Sequence, residues 1–302
     1  MFSLKIIESQ YSDRPYFILT KLFENTSMPL IDSLNKASEN LTDQHRENDD
    51  NRLFRFPDEG NLLVLGDIHG NYHVMKNIFK KYAIEKMMNN PENYLLFLGD
   101  LIDRGRNQVR VLEKIATLII DHPKQIIVLR GNHEGPDDVP ASPSTLMMEI
   151  VKKHNEPEKA MQAFKQFKSL LYNAAIIPEY AFLVHGYIPI NTKSLDDIAG
   201  AHKNHPADNT LIELLWNDPG SYLGDKPSFR GVGHYVGEKT REEFLDYHGL
   251  DWVIRGHERV RKGYRVTDQT FTLHTTGNRR NPYLVIDLNE PRNPMKYLEF
   301  LN

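Results

Sequence analysis

The stretch LLVLGDIHG, residues 62–70, is a short apolar run that ends in a glycine, an aspartate and a histidine. The pattern returns in LLFLGDLIDRG at 95–105 and in IIVLRGNHE at 126–134. Apolar runs of four or five residues are typical of buried strands. A glycine beside a polar residue suits a sharp turn out of a strand. The repetition predicts polar side chains gathered where neighbouring strands end.

The rest of the chain repeats this alternation of apolar runs and amphipathic stretches. One helical face is predicted after the first run and another after the second, at Val74, Met75, Ile78, Phe79 and Tyr82, and at Val111, Leu112, Ile115, Leu118 and Ile119. Strands alternating with helices indicate a layered α/β fold. The predicted strands are 62–65, 94–98, 126–129, 181–184, 252–254, 271–273 and 283–286.

The domain organisation follows from composition along the chain. No linker rich in proline, glycine or serine divides it, so we predict one domain. Residues 1–60 are expected to form a peripheral N-terminal segment of that domain, and 61–302 the catalytic part. Within the segment, the polar stretch 38–55 is interpreted as a loop or a solvated helix face.

Composition excludes several classes of function. The absence of cysteine rules out disulfides, thiolate metal sites and cysteine nucleophiles. A net charge of −4 argues against a general nucleic-acid partner, although a local basic patch stays open. No run approaches the ~18 apolar residues of a membrane span, and the N-terminus turns polar too early for a signal peptide. We therefore expect a soluble, cytoplasmic protein with no membrane partner.

The polar residues at the strand ends point to chemistry. Later predicted strands end in His185-Gly186 and in Arg255-Gly256-His257. Each pair alone is an ordinary turn, but five strand ends that offer aspartate, asparagine or histidine indicate one site. Carboxylate, imidazole and amide ligands suit Mn²⁺, Fe²⁺ or Zn²⁺, and two such ions can promote displacement at phosphorus. Arg104 and Arg230 could then grip phosphate oxygens.

Together, GDIHG (66–70), GDLIDRG (99–105) and RGNHE (130–134) resemble the phosphoprotein phosphatase family, metal-dependent serine/threonine phosphatases of the calcineurin-like metallophosphoesterase superfamily. The spacing agrees, with 33 residues from Asp67 to Asp100 and 32 more to Asn132. The resemblance covers about residues 60–287, and GNHEGPDD (131–138) looks more like its archaeal branch. The later motifs follow in the family's order: HG (185–186), LLWNDP (214–219), RG (230–231), RGH (255–257) and TTGN (275–278).

The resemblance implies a β-sandwich flanked by α-helices, with a dinuclear metal site at the strand ends. Two divalent ions are expected, Mn²⁺ or else iron and zinc. Asp103 would orient His133 as the general acid, while Arg104, Arg230 and Asn132 would bind the substrate phosphate. A metal-bridging hydroxide would attack the phosphorus directly. The implied metal ligands are Asp67 and His69 for the first ion, Asp100 for both, and Asn132, His185 and His257 for the second.

Two departures from the family pattern concern the rim of the site. The family usually has a second glycine where this chain has Tyr187, which is expected to bring a tyrosine to the rim. Where the animal enzymes have a rim tyrosine, this chain has Arg279. Both changes are expected to alter substrate preference and to leave the metal ligands intact.

Several functions are compatible with the sequence. The first is a phosphatase acting on serine and threonine of a phosphoprotein, and the same core could also serve phosphotyrosine. A symmetrical diadenosine-tetraphosphate hydrolase shares the metal ligands. A catalytically dead binding module would have lost ligands, and none is missing from this sequence. The physiological substrate, native metal pair, regulatory subunits and oligomeric state do not follow from the sequence.

Overall fold

The computed structural model describes residues 28–277 and 279–301. Short apolar strands alternate with amphipathic helices along the chain. The helices are α1 (Leu30–Glu47), α2 (Tyr72–Lys81), α3 (Ile84–Met87), α4 (Gln108–Asp121), α5 (Leu146–Lys153), α6 (Pro157–Ser169), α7 (Leu195–Asn204), α8 (Thr210–Trp216) and α9 (Glu238–His248), with a 3-10 turn at Pro294–Tyr297. The strands are β1 (Leu53–Arg55), β2 (Asn61–Leu65), β3 (Asn93–Phe97), β4 (Ile126–Val128), β5 (Ala174–Ile177), β6 (Ala181–Val184), β7 (Asp218–Pro219), β8 (Lys226–Pro227), β9 (His234–Val236), β10 (Trp252–Arg255), β11 (Tyr264–Thr267), β12 (Thr270–Leu273), β13 (Pro282–Asp287) and β14 (Leu298–Phe300).

A five-stranded sheet carries the first three sequence motifs. Its order is β14-β13-β2-β3-β4, and β2, β3 and β4 run parallel. Leu63 and Leu65 pack against helices on one face, while Leu62 and Val64 face the second sheet. Burial on both faces explains why these strands are apolar at nearly every position rather than at every second one.

A six-stranded sheet carries the later motifs. Its order is β1-β5-β6-β10-β12-β11, and β6, β10 and β12 run parallel. Leu183 and Ile254 face the first sheet, and Phe182 and Val253 face helices α7, α8 and α9. A small third sheet, β7-β9-β8, follows the LLWNDP motif. The two large sheets with helices outside each confirm the predicted β-sandwich flanked by α-helices.

The described part of the N-terminal segment packs against the layers of both large sheets through helix α1 and strand β1. Helix α1 buries Leu30, Leu34, Ala37 and Leu41 against α4 and α6, and β1 pairs with β5 at the edge of the six-stranded sheet. The prediction of a solvated face holds for only one side of α1. The apolar residues of α1 recur every three or four positions and form one buried face. The mostly polar composition of the helix does not reveal this face. Residues 1–27 lie outside the described residues, and the boundary at residue 60 stays a prediction.

The sheet topology determines where the loops meet. Because β2, β3 and β4 are parallel, their carboxyl ends share one edge of the five-stranded sheet. The parallel strands β6, β10 and β12 likewise end together in the six-stranded sheet. The motifs that follow these strands are thereby assembled at one end of the sandwich. Among the helices described between residues 28 and 301, none combines the length and the apolar character that crossing a bilayer requires.

Candidate metal and phosphate site

Two groups of ligand atoms lie side by side at this end of the sandwich. In the first group, His69 Nε2 lies 3.8 Å from Asp67 Oδ2 and 3.6 Å from Asp100 Oδ2. In the second, His185 Nε2 lies 3.3 Å from Asp100 Oδ1, and the Asn132 carboxamide lies 3.0 Å from both His185 Nε2 and His257 Nδ1. The structure thus brings together all six predicted ligands. Asp100 places one oxygen in each group.

The backbone around these ligands is held in an unusual conformation. His69, Asp100, Asp103, Arg104 and His257 have φ values of 44°, 52°, 66°, 64° and 68°. Residues other than glycine seldom adopt this left-handed backbone conformation, and each instance costs on the order of 1–3 kcal/mol. Five such residues in one site indicate that the surrounding fold holds these loops in the conformation that directs their polar side chains to one point.

Glu134 supplies part of that support. Its carboxylate is fully buried and accepts backbone N–H bonds from Asp100 (2.8 Å), Leu101 (2.9 Å), Gly131 (3.2 Å) and Ile102 (3.3 Å). One side chain therefore ties the loop after β3 to the loop after β4. Glu134 belongs to the RGNHE motif, but no role is predicted for it from the sequence. The sequence signal that could have identified Glu134 is its position directly after Asn132 and His133.

Burial favours the neutral form of three of the histidines. It lowers the pKa of His69 to about 4 and that of His185 to about 3, and it also lowers the pKa of His257 well below its ordinary value. His69 Nδ1 lies 2.8 Å from the Ile102 carbonyl and His185 Nδ1 2.9 Å from the Leu98 carbonyl, which leaves each Nε2 lone pair directed into the site. Neutral imidazoles oriented in this way are suitable metal ligands.

Unpartnered atoms provide a test of whether divalent ions fit. Within the described residues, the buried Nε2 atoms of His69 and His257 have no hydrogen-bond partner. Asp67 and Asp100 are also buried, and burial raises the pKa of Asp100. Buried lone pairs facing buried carboxylates are costly unless a cation satisfies both. The residues therefore fit divalent metals with nitrogen and oxygen ligands.

A histidine–aspartate pair lies next to the first group. His133 Nδ1 is 2.7 Å from Asp103 Oδ2, while Asp103 Oδ1 accepts the N–H groups of Thr145 (2.6 Å) and Leu146 (3.1 Å). Burial would lower the pKa of His133, but the hydrogen bond to Asp103 and the charge of Asp100 raise it above its ordinary value. Donor atoms of His69, Asp100 and His133 lie within 4.8 Å of one another. Geometry alone would admit His133 as a ligand, whereas its raised pKa favours a proton donor.

The two predicted phosphate-binding arginines flank the ligand groups. Arg104 is exposed, and its Nη2 lies 3.3 Å from His133 Nε2. Arg230 Nε donates to Asp218 Oδ2 at 2.9 Å, and Asp218 Oδ1 lies 4.0 Å from His257 Nε2. Arg104 therefore stands beside the histidine–aspartate pair, and Arg230 stands on the side of the second ligand group.

His274 and Arg255 are site residues that the sequence patterns did not reveal. His274 is buried directly after β12, and its Nδ1 lies 3.0 Å from Asp67 Oδ2. The rule of polar residues at strand ends could have found it, but no glycine adjoins it. Arg255 is fully buried and donates to Asp218 Oδ1 at 2.9 Å and to the Gly186 carbonyl at 2.6 Å. The sequence shows that Arg255 belongs to the RGH motif, but it does not show which groups accept its hydrogen bonds.

The prediction for Tyr187 is wrong. Its side chain is buried, and its hydroxyl hydrogen-bonds with Thr270 Oγ1 rather than standing at the rim. The chain turns inward here because the Gly186 N–H donates to the Leu214 carbonyl at 2.8 Å, so the residue after the glycine packs beneath helix α8. Arg279, by contrast, is exposed. Of the motif at 275–278, Asn278 lies outside the described residues.

Comparisons with known proteins found similar solved structures and a matching family model. A protein serine/threonine phosphatase from Saccharomyces cerevisiae with similarity to human phosphatase PP5 is 24% identical, with a TM-score of 0.73 over 93% of this chain and 91% of that one. A cold-active protein-tyrosine phosphatase of a psychrophilic Shewanella species is 14% identical, with a TM-score of 0.49 over 83% of this chain and 82% of that one. The family model for calcineurin-like phosphoesterases matches residues 60–261. The chain therefore belongs to the calcineurin-like phosphoesterase family, whose members use divalent metals.

Proposed function

We propose that this protein is a metal-dependent serine/threonine protein phosphatase that hydrolyses phosphomonoesters without a covalent enzyme intermediate. The observation that carries the proposal is Asp100, which places one carboxylate oxygen in each of two adjoining ligand groups, beside the His133–Asp103 pair. A shared carboxylate is what a two-ion centre for displacement at phosphorus requires.

The metal ligands follow from the two groups. Asp67, His69 and Asp100 would hold one ion, and Asp100, Asn132, His185 and His257 the other. Mn²⁺ is our expected ion, with iron and zinc as alternatives of the same chemistry. When bound, the ions would acidify water and neutralise charge on the phosphate oxygens.

Arg104, Arg230 and Asn132 would orient the phosphate. Guanidinium groups can bind two phosphate oxygens at once, which fixes the direction of the ester bond. Arg230 donates a hydrogen bond from its Nε to Asp218, which leaves the Nη edge of the guanidinium for a ligand.

The His133–Asp103 pair would protonate the leaving oxygen. A serine or threonine alkoxide is a poor leaving group, so a donor at His133 Nε2 lowers the barrier to P–O cleavage. Asp103 orients His133 through Nδ1, and the amides of Thr145 and Leu146 fix the Asp103 carboxylate in turn. Arg104 next to Nε2 places the bound phosphate and the proton donor side by side.

The test is a substrate panel with Mn²⁺. Matched peptides carrying phosphoserine, phosphothreonine or phosphotyrosine are compared with diadenosine tetraphosphate and p-nitrophenyl phosphate. We expect the highest kcat/KM on phosphoserine or phosphothreonine. Preference for diadenosine tetraphosphate or phosphotyrosine would overturn the substrate assignment, and no release of phosphate from any compound would indicate a binding module.

Asp100→Asn tests the shared carboxylate. A neutral amide cannot hold two dications together, so we expect loss of most activity together with reduced metal retention. Asp137→Asn is the matched control, because Asp137 is an exposed carboxylate that pairs with Lys165 and Lys168 outside the ligand groups. Near-normal turnover by Asp100→Asn with two ions retained would contradict the dinuclear assignment.

A further inference from the structure

Five exposed cations occupy two loops beside the ligand groups. One loop, 256–263, joins β10 to β11 and has the ligand candidate His257 as its second residue, and the other, 274–281, joins β12 to β13. We call four of them, Arg259, Arg261, Lys262 and Arg279, the basic rim; the fifth, Arg280, lies over the Phe300 ring, 3.9 Å from its centroid, and is not counted. The whole chain has a net charge of −4, so this concentration of positive charge is a local feature.

Hydrogen bonds tie the two loops to each other and to the site. The His274 N–H donates to the Gly263 carbonyl at 2.7 Å, and Arg259 Nη2 lies 3.5 Å from the Gly277 carbonyl. The Thr276 N–H donates to the Asp67 carbonyl at 3.2 Å. The basic rim is therefore a fixed border of the metal site rather than an unrelated surface patch.

The charge of the basic rim is not neutralised from within its own loops. Glu258 is the single acidic residue in the two loop sequences. Its Oε2 accepts from buried Arg255 Nη1 at 2.7 Å and also from Arg265, neither of which belongs to the basic rim. Glu258 is thus paired with Arg255 and Arg265, and the two loops carry an excess of positive charge beside the site.

We infer that the basic rim binds acidic side chains beside the phosphorylated residue, so that the preferred substrates are acidic phosphoprotein segments. The inference rests on the proposed phosphatase function and adds a substrate class to it. Each exposed ion pair contributes little alone, but several cations of one sign raise the association rate of an acidic peptide, and salt weakens the effect. The expected signature is a lower KM that rises with ionic strength.

The experiment compares three phosphoserine peptides whose flanking residues are acidic, alanine or lysine. The variant is Arg261→Gln/Lys262→Gln/Arg279→Gln, which removes three charges of the basic rim and none of the proposed catalytic residues. At low salt we expect about a tenfold loss of kcat/KM on the acidic peptide, carried mainly by KM, since each exposed pair contributes little and three are removed together. Turnover of p-nitrophenyl phosphate should not change.

The matched control is Lys36→Gln/Lys124→Gln/Lys152→Gln, which changes the net charge equally at exposed positions elsewhere. Equal losses in both triple variants, or equal losses on all three peptides, would overturn the inference. Tighter competition by a single-stranded oligonucleotide than by the acidic peptide would replace it with nucleic-acid binding.

A binding measurement separates this inference from the proposed function. The fluorescence anisotropy of a labelled, unphosphorylated acidic peptide is measured with wild type and both triple variants, and binding should weaken only when the basic rim is changed. If the peptide binds in this way but no phosphopeptide is hydrolysed, the proposed function fails while the basic rim stands. If phosphopeptides are hydrolysed without preference and the acidic peptide does not bind, the inference fails alone.

Discussion

Asp103 and His133 have pKa values that their contact moves in opposite directions. Burial would raise the pKa of Asp103, but hydrogen bonds from His133, Thr145 and Leu146 hold it below its ordinary value. The same contact raises the pKa of His133. An aspartate that stays ionised keeps its neighbouring histidine protonated at higher pH, which is the state a proton donor needs.

Asp103→Asn tests this coupling. Without the carboxylate, the pKa of His133 falls, so the fraction of protonated His133 at a given alkaline pH falls as well. We therefore expect the alkaline limb of the kcat profile on phosphoserine peptides to move to lower pH. The profile on p-nitrophenyl phosphate should move less, because its phenolate leaves with little help from a proton. An unchanged alkaline limb on both substrates would contradict the role of Asp103.

His274 offers a second prediction for a single residue. Because its Nδ1 lies 3.0 Å from Asp67 Oδ2, His274 fixes the orientation of a ligand carboxylate. Residues that orient a metal ligand commonly contribute 10- to 100-fold in affinity. We expect His274→Leu to weaken Mn²⁺ binding about tenfold at one of two positions, as measured by isothermal titration calorimetry. His45→Leu replaces a buried histidine of α1 and is the control; equal affinity in His274→Leu and wild type would refute the role.

Individual residues show which parts of the site can be predicted from the pattern of polar residues at strand ends. All six proposed ligands could be selected from the sequence because each stands directly at or next to a glycine turn after an apolar run. His274 lacks the glycine, and Tyr187 follows a glycine yet turns inward. The direction of a side chain after a turn depends on what packs above it, here helix α8, and that contact is between residues distant in sequence.

Helix α1 shows the same limit for whole elements. The polar stretch 38–55 is interpreted from the sequence as a loop or a solvated helix face, and no buried face is predicted for this helix, in which Leu30, Leu34, Ala37 and Leu41 complete the apolar layer outside the five-stranded sheet. The strands predicted for the first three motifs lie where β2, β3 and β4 are found, because their apolar runs are continuous. β1 (LFR) and β11 (YRVT) are edge strands with only two apolar residues each, so no run as long as those of β2 or β3 marks them.

Leu34→Ala measures what α1 contributes to stability. Leu34 is fully buried, and truncation of a buried leucine to alanine typically costs about 2–5 kcal/mol through lost transfer energy and a cavity. We expect a loss of this size in the free energy of unfolding from urea titration. Lys36→Ala, on the exposed face of the same helix, should change it by less than about 0.5 kcal/mol. Similar small effects in both variants would mean that α1 is dispensable, as a peripheral segment would be.

The two proposed metal positions would make the stability of the whole molecule depend on metal concentration. An ion that binds only the folded state stabilises it by mass action, by about 2.7 kcal/mol at 100 times its dissociation constant. We expect the Tm of chelator-treated protein to rise on addition of Mn²⁺. The rise should be much smaller in Asp100→Asn, which removes the carboxylate shared by both ligand groups. Equal Tm values with and without Mn²⁺ in the wild type would argue against metal binding by the folded protein.

The six proposed ligands come from both large sheets. Asp67, His69, Asp100 and Asn132 follow strands of the five-stranded sheet, and His185 and His257 follow strands of the six-stranded sheet. Most of the seam between the sheets is closed by apolar side chains, but at this end it is closed by carboxylates and imidazoles that need cations between them. The ions would cross-link the two sheets there. We expect a molecule stripped of the ions to be loosest at this end of the sandwich, so that loading the metal and closing the seam occur together.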